Sequence, residues 1–200
     1  MLYPVRIIAL TGKKGCGKSV ASDHISKLYN SHKLSFSTPL KKAISEIFNF
    51  RNNECFDSDK KELVDSRWGV SPRELMQKIG TDIFRDRMKE VCPNMIMPYD
   101  TIWISNMYFN IREIENIYKY SIYKYNTYII DDCRFEDEYN FIKNLGGYVV
   151  RINKTDRIYS KNDDHSSEKG CSFDFEIDNN GTIEELKIRI DNLIRNNIKW

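Results

Sequence analysis

The segment Gly12-Lys13-Lys14-Gly15-Cys16-Gly17-Lys18-Ser19 constrains this chain more than any other feature. It matches GxxxxGK[ST] at every fixed position, a pattern that has a use only between a strand and a helix. Glycines let the backbone curl until successive N–H groups, and the helix N-terminus behind them, face an anion. The flanks agree with that setting. Val5 to Leu10 is a continuous apolar run after Pro4, as in a parallel strand covered on both faces, and a helix is expected from about Ser19 to Tyr29. In such a loop Lys18 bridges the β and γ phosphates of a nucleoside triphosphate, and the Ser19 hydroxyl ligates a magnesium ion. A glycine-rich turn that matched by chance would lack this strand–loop–helix context.

The rest of the chain continues the alternation. Lys33 to Phe36 reads as a short strand, followed by Thr38 as N-cap and Pro39 as the first residue of a helix with Leu40, Ala43, Ile44, Ile47 and Phe48 on its apolar face. Arg51 to Trp68 is polar and charged and reads as a loop or a loose helical segment. Ser71-Pro72-Arg73-Glu74 has the form of a capping box and opens a helix to about Gly80. Thr81 to Val91 and Thr101 to Tyr120 read as helical too, although Trp103 and the Tyr and Ile residues nearby are also compatible with a strand over part of the second. Thr127 to Asp131 is an apolar strand ending in acids, Glu136 to Leu145 a helix stopped by Gly146-Gly147, and Tyr148 to Ile152 another strand. Phe173 to Ile177 supplies the last strand, and Thr182 with Glu185 opens the final helix. The expected fold class is therefore α/β, with a five-stranded parallel sheet flanked by helices. A chain of 200 residues accommodates one such domain with inserts.

The second constellation with chemistry in it is Asp131-Asp132-Cys133-Arg134-Phe135, which follows a buried strand. In an open parallel sheet ligands bind outside the carboxyl ends of the strands, where these residues fall. A carboxylate there can hold a metal-bound water or a second nucleotide, and the Arg134 guanidinium fits phosphate as a fork. Asp131 serves equally well as a cap for the next helix. Composition sets outer limits. Lys+Arg 31 against Asp+Glu 29 gives a net charge of +2, with no global pull toward nucleic acid or an acidic membrane. Five scattered cysteines without a CxxC pair read as reduced thiols of a cytoplasmic protein rather than zinc ligands. No stretch reaches the length a membrane span requires.

These pieces resemble the deoxynucleoside monophosphate kinases of bacteriophages and large DNA viruses, within the P-loop nucleoside monophosphate kinases. The resemblance rests on the glycine loop, Thr38-Pro39-Leu40-Lys41, the run from Ser71 to Asp82 with Arg85 following, Asp132-Cys133-Arg134-Phe135 with Glu138, and Asp164-His165-Ser166-Ser167-Glu168. It implies a P-loop kinase domain over residues 1–200. The core would be 1–36 and 127–200, with a helical acceptor-binding insert at 37–126 and a lid at 153–172. ATP, with Mg2+, would lie on Gly12, Lys13, Gly15, Cys16, Gly17, Lys18, Ser19 and Val20, its adenine beside Asn179, Asn180 and Gly181. A nucleoside 5′-monophosphate acceptor would meet Lys14, Ser37, Thr38, Lys41, Arg73, Gln77, Arg85, Asp132, Arg134 and Glu138. Lys18, Asp132 and Arg134 would be catalytic together with Arg157, which shares the lid with Lys154 and Lys161. Neither nucleic acid nor a membrane is an expected partner. A homodimer is compatible with the family, and a viral chain of this kind would act in host cytoplasm.

Blander readings stand beside several of these residues. Lys41 can be a solvated lysine on an amphipathic helix, and Arg73 and Arg85 can be ion-paired to neighbouring acids. Asp163-Asp164-His165 reads as a solvent-facing loop rather than a metal site. Other functions have specific predictions. A GTPase switch is suggested by Asn153-Lys154-Thr155-Asp156, yet the single DxxG, Asp178 to Gly181, follows that motif instead of preceding it. A P-loop kinase with another acceptor, of the dephospho-coenzyme A or phosphomevalonate type, would share the core. A non-catalytic nucleotide-binding adaptor would leave the arginine-bearing segments without a use.

Overall fold

The computed structural model describes residues 5–29, 31–51, 53–118, 126–155 and 170–199. Its strands are β1 (Arg6–Thr11), β2 (His32–Leu34), β3 (Thr127–Ile130), β4 (Tyr148–Asn153) and β5 (Phe175–Asp178). All pair in parallel, in the order β2-β3-β1-β4-β5. The helices are α1 (Lys18–Tyr29), α2 (Thr38–Ile47), α3 (Pro72–Gln77), α4 (Met88–Val91), α5 (Ile102–Ile117), α6 (Glu136–Asn144) and α7 (Ile183–Asn197).

The chain divides into two compact units, Met1–Ser35 with Tyr108–Trp200, and Phe36–Met107. The first holds the sheet. Because a strand's side chains alternate, Ile8 and Leu10 of β1 join Ile129, Val150, Ile152 and Ile177 on one face, under Ala21 and Ile25 of α1 and Leu186, Ile190 and Ile194 of α7. His24 and Asp191 tie those two helices together at 2.7 Å. On the opposite face Ile7 approaches Ile142 of α6 so closely that Gly147 between them has no room for a β-carbon. Tyr128 is fully buried and donates its hydroxyl to Glu115 of α5 at 2.5 Å; burial and that carboxylate hold its pKa above the usual phenol value. The central strands are buried on both faces, which is why they read as unbroken apolar runs.

The second unit packs Leu40 and Ile44 of α2 with Phe50 and Cys55, against Leu75, Met76, Ile79, Phe84 and Trp103. Two details differ from the sequence reading. Thr38 is the first residue of α2 rather than its cap; Ser37 precedes it in a helical conformation and makes no side-chain cap bond, because the chain enters the helix through a turn. The helix opened by Ser71, whose hydroxyl accepts the Glu74 N–H at 3.2 Å, does not stop near Gly80. It widens into a π-helical stretch, Lys78–Arg85, with the Asp86 N–H reaching back to the Thr81 carbonyl at 3.0 Å. Its third residue, Gly80, lies against Leu40, where a β-carbon would sit 2.4 Å from Cδ2, and the Gly80 carbonyl also accepts the Trp103 indole N–H at 3.1 Å. Wide turns of this kind recur at functional segments, and sequence periodicity does not announce them. The expected lid at 153–172 and the Asp163-Asp164-His165 reading fall mostly or wholly outside the described residues, as does Arg157.

Candidate active site

Parallel pairing places the carboxyl ends of all five strands on one edge of the sheet; β1, β4 and β5 end in Thr11, Asn153 and Asp178, and Ser35 and Asp131 directly follow β2 and β3. β1 runs directly into the glycine loop. Gly12, at φ 134°, and Gly17, at φ 106°, occupy backbone conformations that side chains disfavour. Both are also closed to substitution by contact. A β-carbon on Gly12 would lie 2.3 Å from the Ile152 carbonyl oxygen, and one on Gly17 2.5 Å from the Asn179 amide nitrogen. Lys18, the first residue of α1, folds back over the loop and donates to the carbonyls of Gly12 at 2.5 Å and Lys13 at 2.8 Å, with Cys16 Sγ at 3.7 Å. An ammonium has three donors and can exchange such carbonyls for phosphate oxygens without moving the helix. Ser19 is exposed on the first turn of α1, Lys13 is exposed, Lys14 is half-buried, Cys16 is buried, and Val20 packs against the core.

The far side of the loop is held from β5. Asn179, one residue past that strand, donates its side-chain amide to the Cys16 carbonyl at 2.8 Å, while its N–H reaches the Asn153 carbonyl at 2.6 Å. Asn180 accepts the Thr155 N–H at 2.9 Å, and Gly181 lies under Glu185, whose carboxylate accepts the Thr182 N–H. Asn179 and Asn180 thus fasten the glycine loop and the residues after β4 to the end of β5, whatever else they contact.

After β3, Asp132 is buried and accepts a hydrogen bond from the Ser35 hydroxyl at 2.7 Å. Ser35 follows β2, the strand beside β3, so two neighbouring strand ends are joined through this carboxylate. Sequence reasoning missed Ser35, because the strand expected over Lys33 to Phe36 ends in the structure at Leu34 and leaves this hydroxyl just past the strand end. Glu138 is 2 % exposed, and its carboxylate accepts the N–H groups of Arg134 at 2.8 Å and Phe135 at 3.3 Å. It closes the N-terminus of α6 and fixes the turn that carries Arg134. Phe135, at the cap position, has no side-chain acceptor, so this carboxylate takes over that task.

In the Phe36–Met107 unit, Ser37 and Thr38 open α2, and the Lys41 ammonium lies 5.6 Å from the centre of the Phe56 ring. Gln77 ends α3 and Arg85 ends the π-helical stretch. Arg73 pairs with Glu62 at 3.2 Å rather than with Glu74. Among the described residues no cluster of three or more His, Cys, Asp or Glu side chains could cage a metal, and no helix is long and apolar enough to cross a membrane.

A family model described as deoxynucleotide monophosphate kinase matches residues 52–190. The chain belongs to the deoxynucleotide monophosphate kinase family. It is therefore an enzyme, a nucleotide monophosphate kinase and phosphotransferase. A protein of Acanthamoeba polyphaga mimivirus named for the same activity is 30 % identical in an alignment that covers 95 % of this kinase and 96 % of that protein. Among solved structures, TT1252 from Thermus thermophilus superposes with a TM-score of 0.51 at 13 % identity, over 98 % of this kinase and 100 % of that chain, a likeness of fold. The shikimate kinase of Aquifex aeolicus is similar at a TM-score of 0.46 and 14 % identity, over 96 % of this kinase and 97 % of that chain. The dephospho-CoA kinase of Campylobacter jejuni is similar at 0.45 and 16 %, over 95 % of each chain. The fold expected from the sequence, a five-stranded parallel sheet flanked by helices, is present, and the family membership decides among the kinase types considered for it.

Proposed function

We propose that the kinase transfers the γ-phosphoryl group of ATP directly to a deoxyribonucleoside 5′-monophosphate, giving the diphosphate and ADP for nucleotide precursor supply in the cytoplasm. The observation that carries this is the folded-back Lys18, with its ammonium held over a loop whose glycines Gly12 and Gly17 tolerate no side chain. That geometry supports a triphosphate cradle in which Lys18 spans the β and γ phosphates and the N–H groups from Lys13 to Ser19 donate to the phosphate oxygens. Val20 packs behind the loop, and Asn179 to Gly181, holding its outer side, border the adenine.

A magnesium ion fits the donors present. Ser19 offers one hard oxygen at the helix start, and Mg2+ commonly takes one or two protein donors and completes its shell with phosphates and water. Bound with ATP, it would neutralise charge between the β and γ phosphates. Arg134 is the proposed fork for the acceptor phosphate, held in place through the Glu138 bonds to its turn. Asp132, oriented by Ser35, faces the acceptor sugar or metal-bound water. Lys14, Ser37, Thr38, Lys41, Arg73, Gln77 and Arg85 are proposed acceptor contacts on the strength of the family motifs, and Arg157 as the lid cation on the same ground. No general base is required, because the attacking phosphate oxygen is already anionic near neutral pH. Catalysis is then positioning and charge neutralisation.

A panel assay tests this. ADP release, coupled to a reporter enzyme and run with Mg-ATP against each ribo- and deoxyribonucleoside monophosphate, should show turnover with at least one deoxyribonucleotide well above the rate without acceptor. ADP release indifferent to the monophosphate would identify an ATPase and overturn the assignment.

A further inference from the structure

Two cysteines that the kinase reaction does not use lie together at the same sheet edge. Cys133 Sγ is 3.6 Å from Cys171 Sγ, and Cys171 Sγ is 3.6 Å from Thr11 Oγ1. Both residues are buried, Cys133 at 1 % and Cys171 at 4 % exposure. Each backbone is fastened separately. The Cys133 N–H donates to the Leu10 carbonyl at 3.1 Å. The Cys171 carbonyl accepts from Arg151 Nη2 at 3.1 Å, and the next residue, Ser172, donates its N–H to Glu136 at 2.7 Å. Of the other thiols, Cys16 and Cys55 are buried and Cys92 is exposed.

From this juxtaposition we infer that Cys133 and Cys171 form an oxidisable dithiol, closing to a disulfide when the chain meets a peroxide. The two sulfurs differ in readiness to react. The hydrogen bond from Cys133 holds the Cys171 thiol below its ordinary pKa against the opposing effect of burial, while the same bond and burial push Cys133 up. Cys171 is therefore the attacking thiolate. Its sulfur takes one peroxide oxygen as the O–O bond breaks, and the hydroxide released is protonated to water, leaving a sulfenic acid. Cys133 then attacks that sulfur. The S–S bond forms, the S–O bond breaks, and the second hydroxide leaves as water with the proton from Cys133. Two thiols and one peroxide become one disulfide and two waters, and a dithiol reductant reverses the change.

Closure must draw the sulfurs from 3.6 Å to about 2 Å. Cys133 lies between Asp132 and Arg134, so the movement is transmitted to the turn proposed to hold the acceptor. This consequence for activity rests on the proposed roles of those residues; the formation of the bond does not. Displacements of about 1 Å at such sites can cost on the order of 100-fold in rate.

The experiment treats the reduced full-length kinase with hydrogen peroxide, alkylates the remaining thiols after unfolding, and maps the peptides by mass spectrometry, with turnover measured in parallel. A Cys133–Cys171 linked pair is expected, together with a tenfold or greater fall in kcat that dithiothreitol restores. Cys171→Ser and Cys133→Ser chains, checked for folding by circular dichroism, should keep their own starting activity through the same treatment. Two alkylated, unlinked cysteines after peroxide would overturn the dithiol whatever the substrate proves to be. A linked pair with unchanged turnover, or equal inactivation of the Cys171→Ser chain, would overturn its control of activity.

Discussion

Replacing Lys18 with alanine is expected to lower kcat by at least about 100-fold, roughly 2.7 kcal/mol of transition-state stabilisation, while the fold survives. The side chain is half-buried and its partners are the carbonyls of Gly12 and Lys13 rather than the apolar core. Its loss removes the charge that meets the developing negative charge on the transferring phosphate, and opens no cavity among Ile8, Leu10 and Ile129. Steady-state kinetics with thermal unfolding on the same preparation separate the two effects. A variant keeping more than about a tenth of wild-type kcat, a loss below about 1.4 kcal/mol, would show that Lys18 is not the phosphate clamp.

Arg134→Ala should act on the other substrate. We expect the KM for the monophosphate to rise by about tenfold or more and kcat to fall, the scale of one lost charge-assisted contact, with the Kd for ATP nearly unchanged. The turn itself should persist, because Glu138 grips the backbone N–H of residue 134 and not its side chain. Arg134→Lys should recover only part of the loss, since an ammonium keeps the charge without the fork. Calorimetric titration of each nucleotide into the alanine variant decides the assignment. Weakened ATP binding beside an unchanged monophosphate affinity would place Arg134 on the donor.

Much of this fold is written in local patterns. The apolar runs before Gly12 and before Asp131 become two of the three inner strands because burial on both faces demands continuous hydrophobicity, and Thr182 with Glu185 forms the reciprocal cap that opens α7. The glycine loop is legible for the same reason: its chemistry lies in backbone geometry that only particular residues permit. What remained hidden depends on neighbours distant in sequence. Ser35 gains significance only because β2 pairs with β3 and brings it to Asp132. The π-helical stretch depends on Leu40 and Trp103 meeting Gly80, which no window around residue 80 contains. Cys133 and Cys171 are separated by 38 positions and become a pair through the sheet edge. Glu138 was singled out for the acceptor from its motif, and the structure adds the backbone bonds through which it orders the turn.

The central claim is that this kinase moves a phosphoryl group from one nucleotide to another, and tracing the group itself tests it most directly. ATP labelled in its γ-phosphate is incubated with magnesium, the kinase and each deoxyribonucleoside monophosphate, and the products are separated. The label should appear in a deoxyribonucleoside diphosphate, only when the matching monophosphate is present, and should not appear with the Lys18→Ala chain. Label released as inorganic phosphate at the same rate without any monophosphate, or retained on the protein, would contradict direct transfer between nucleotides.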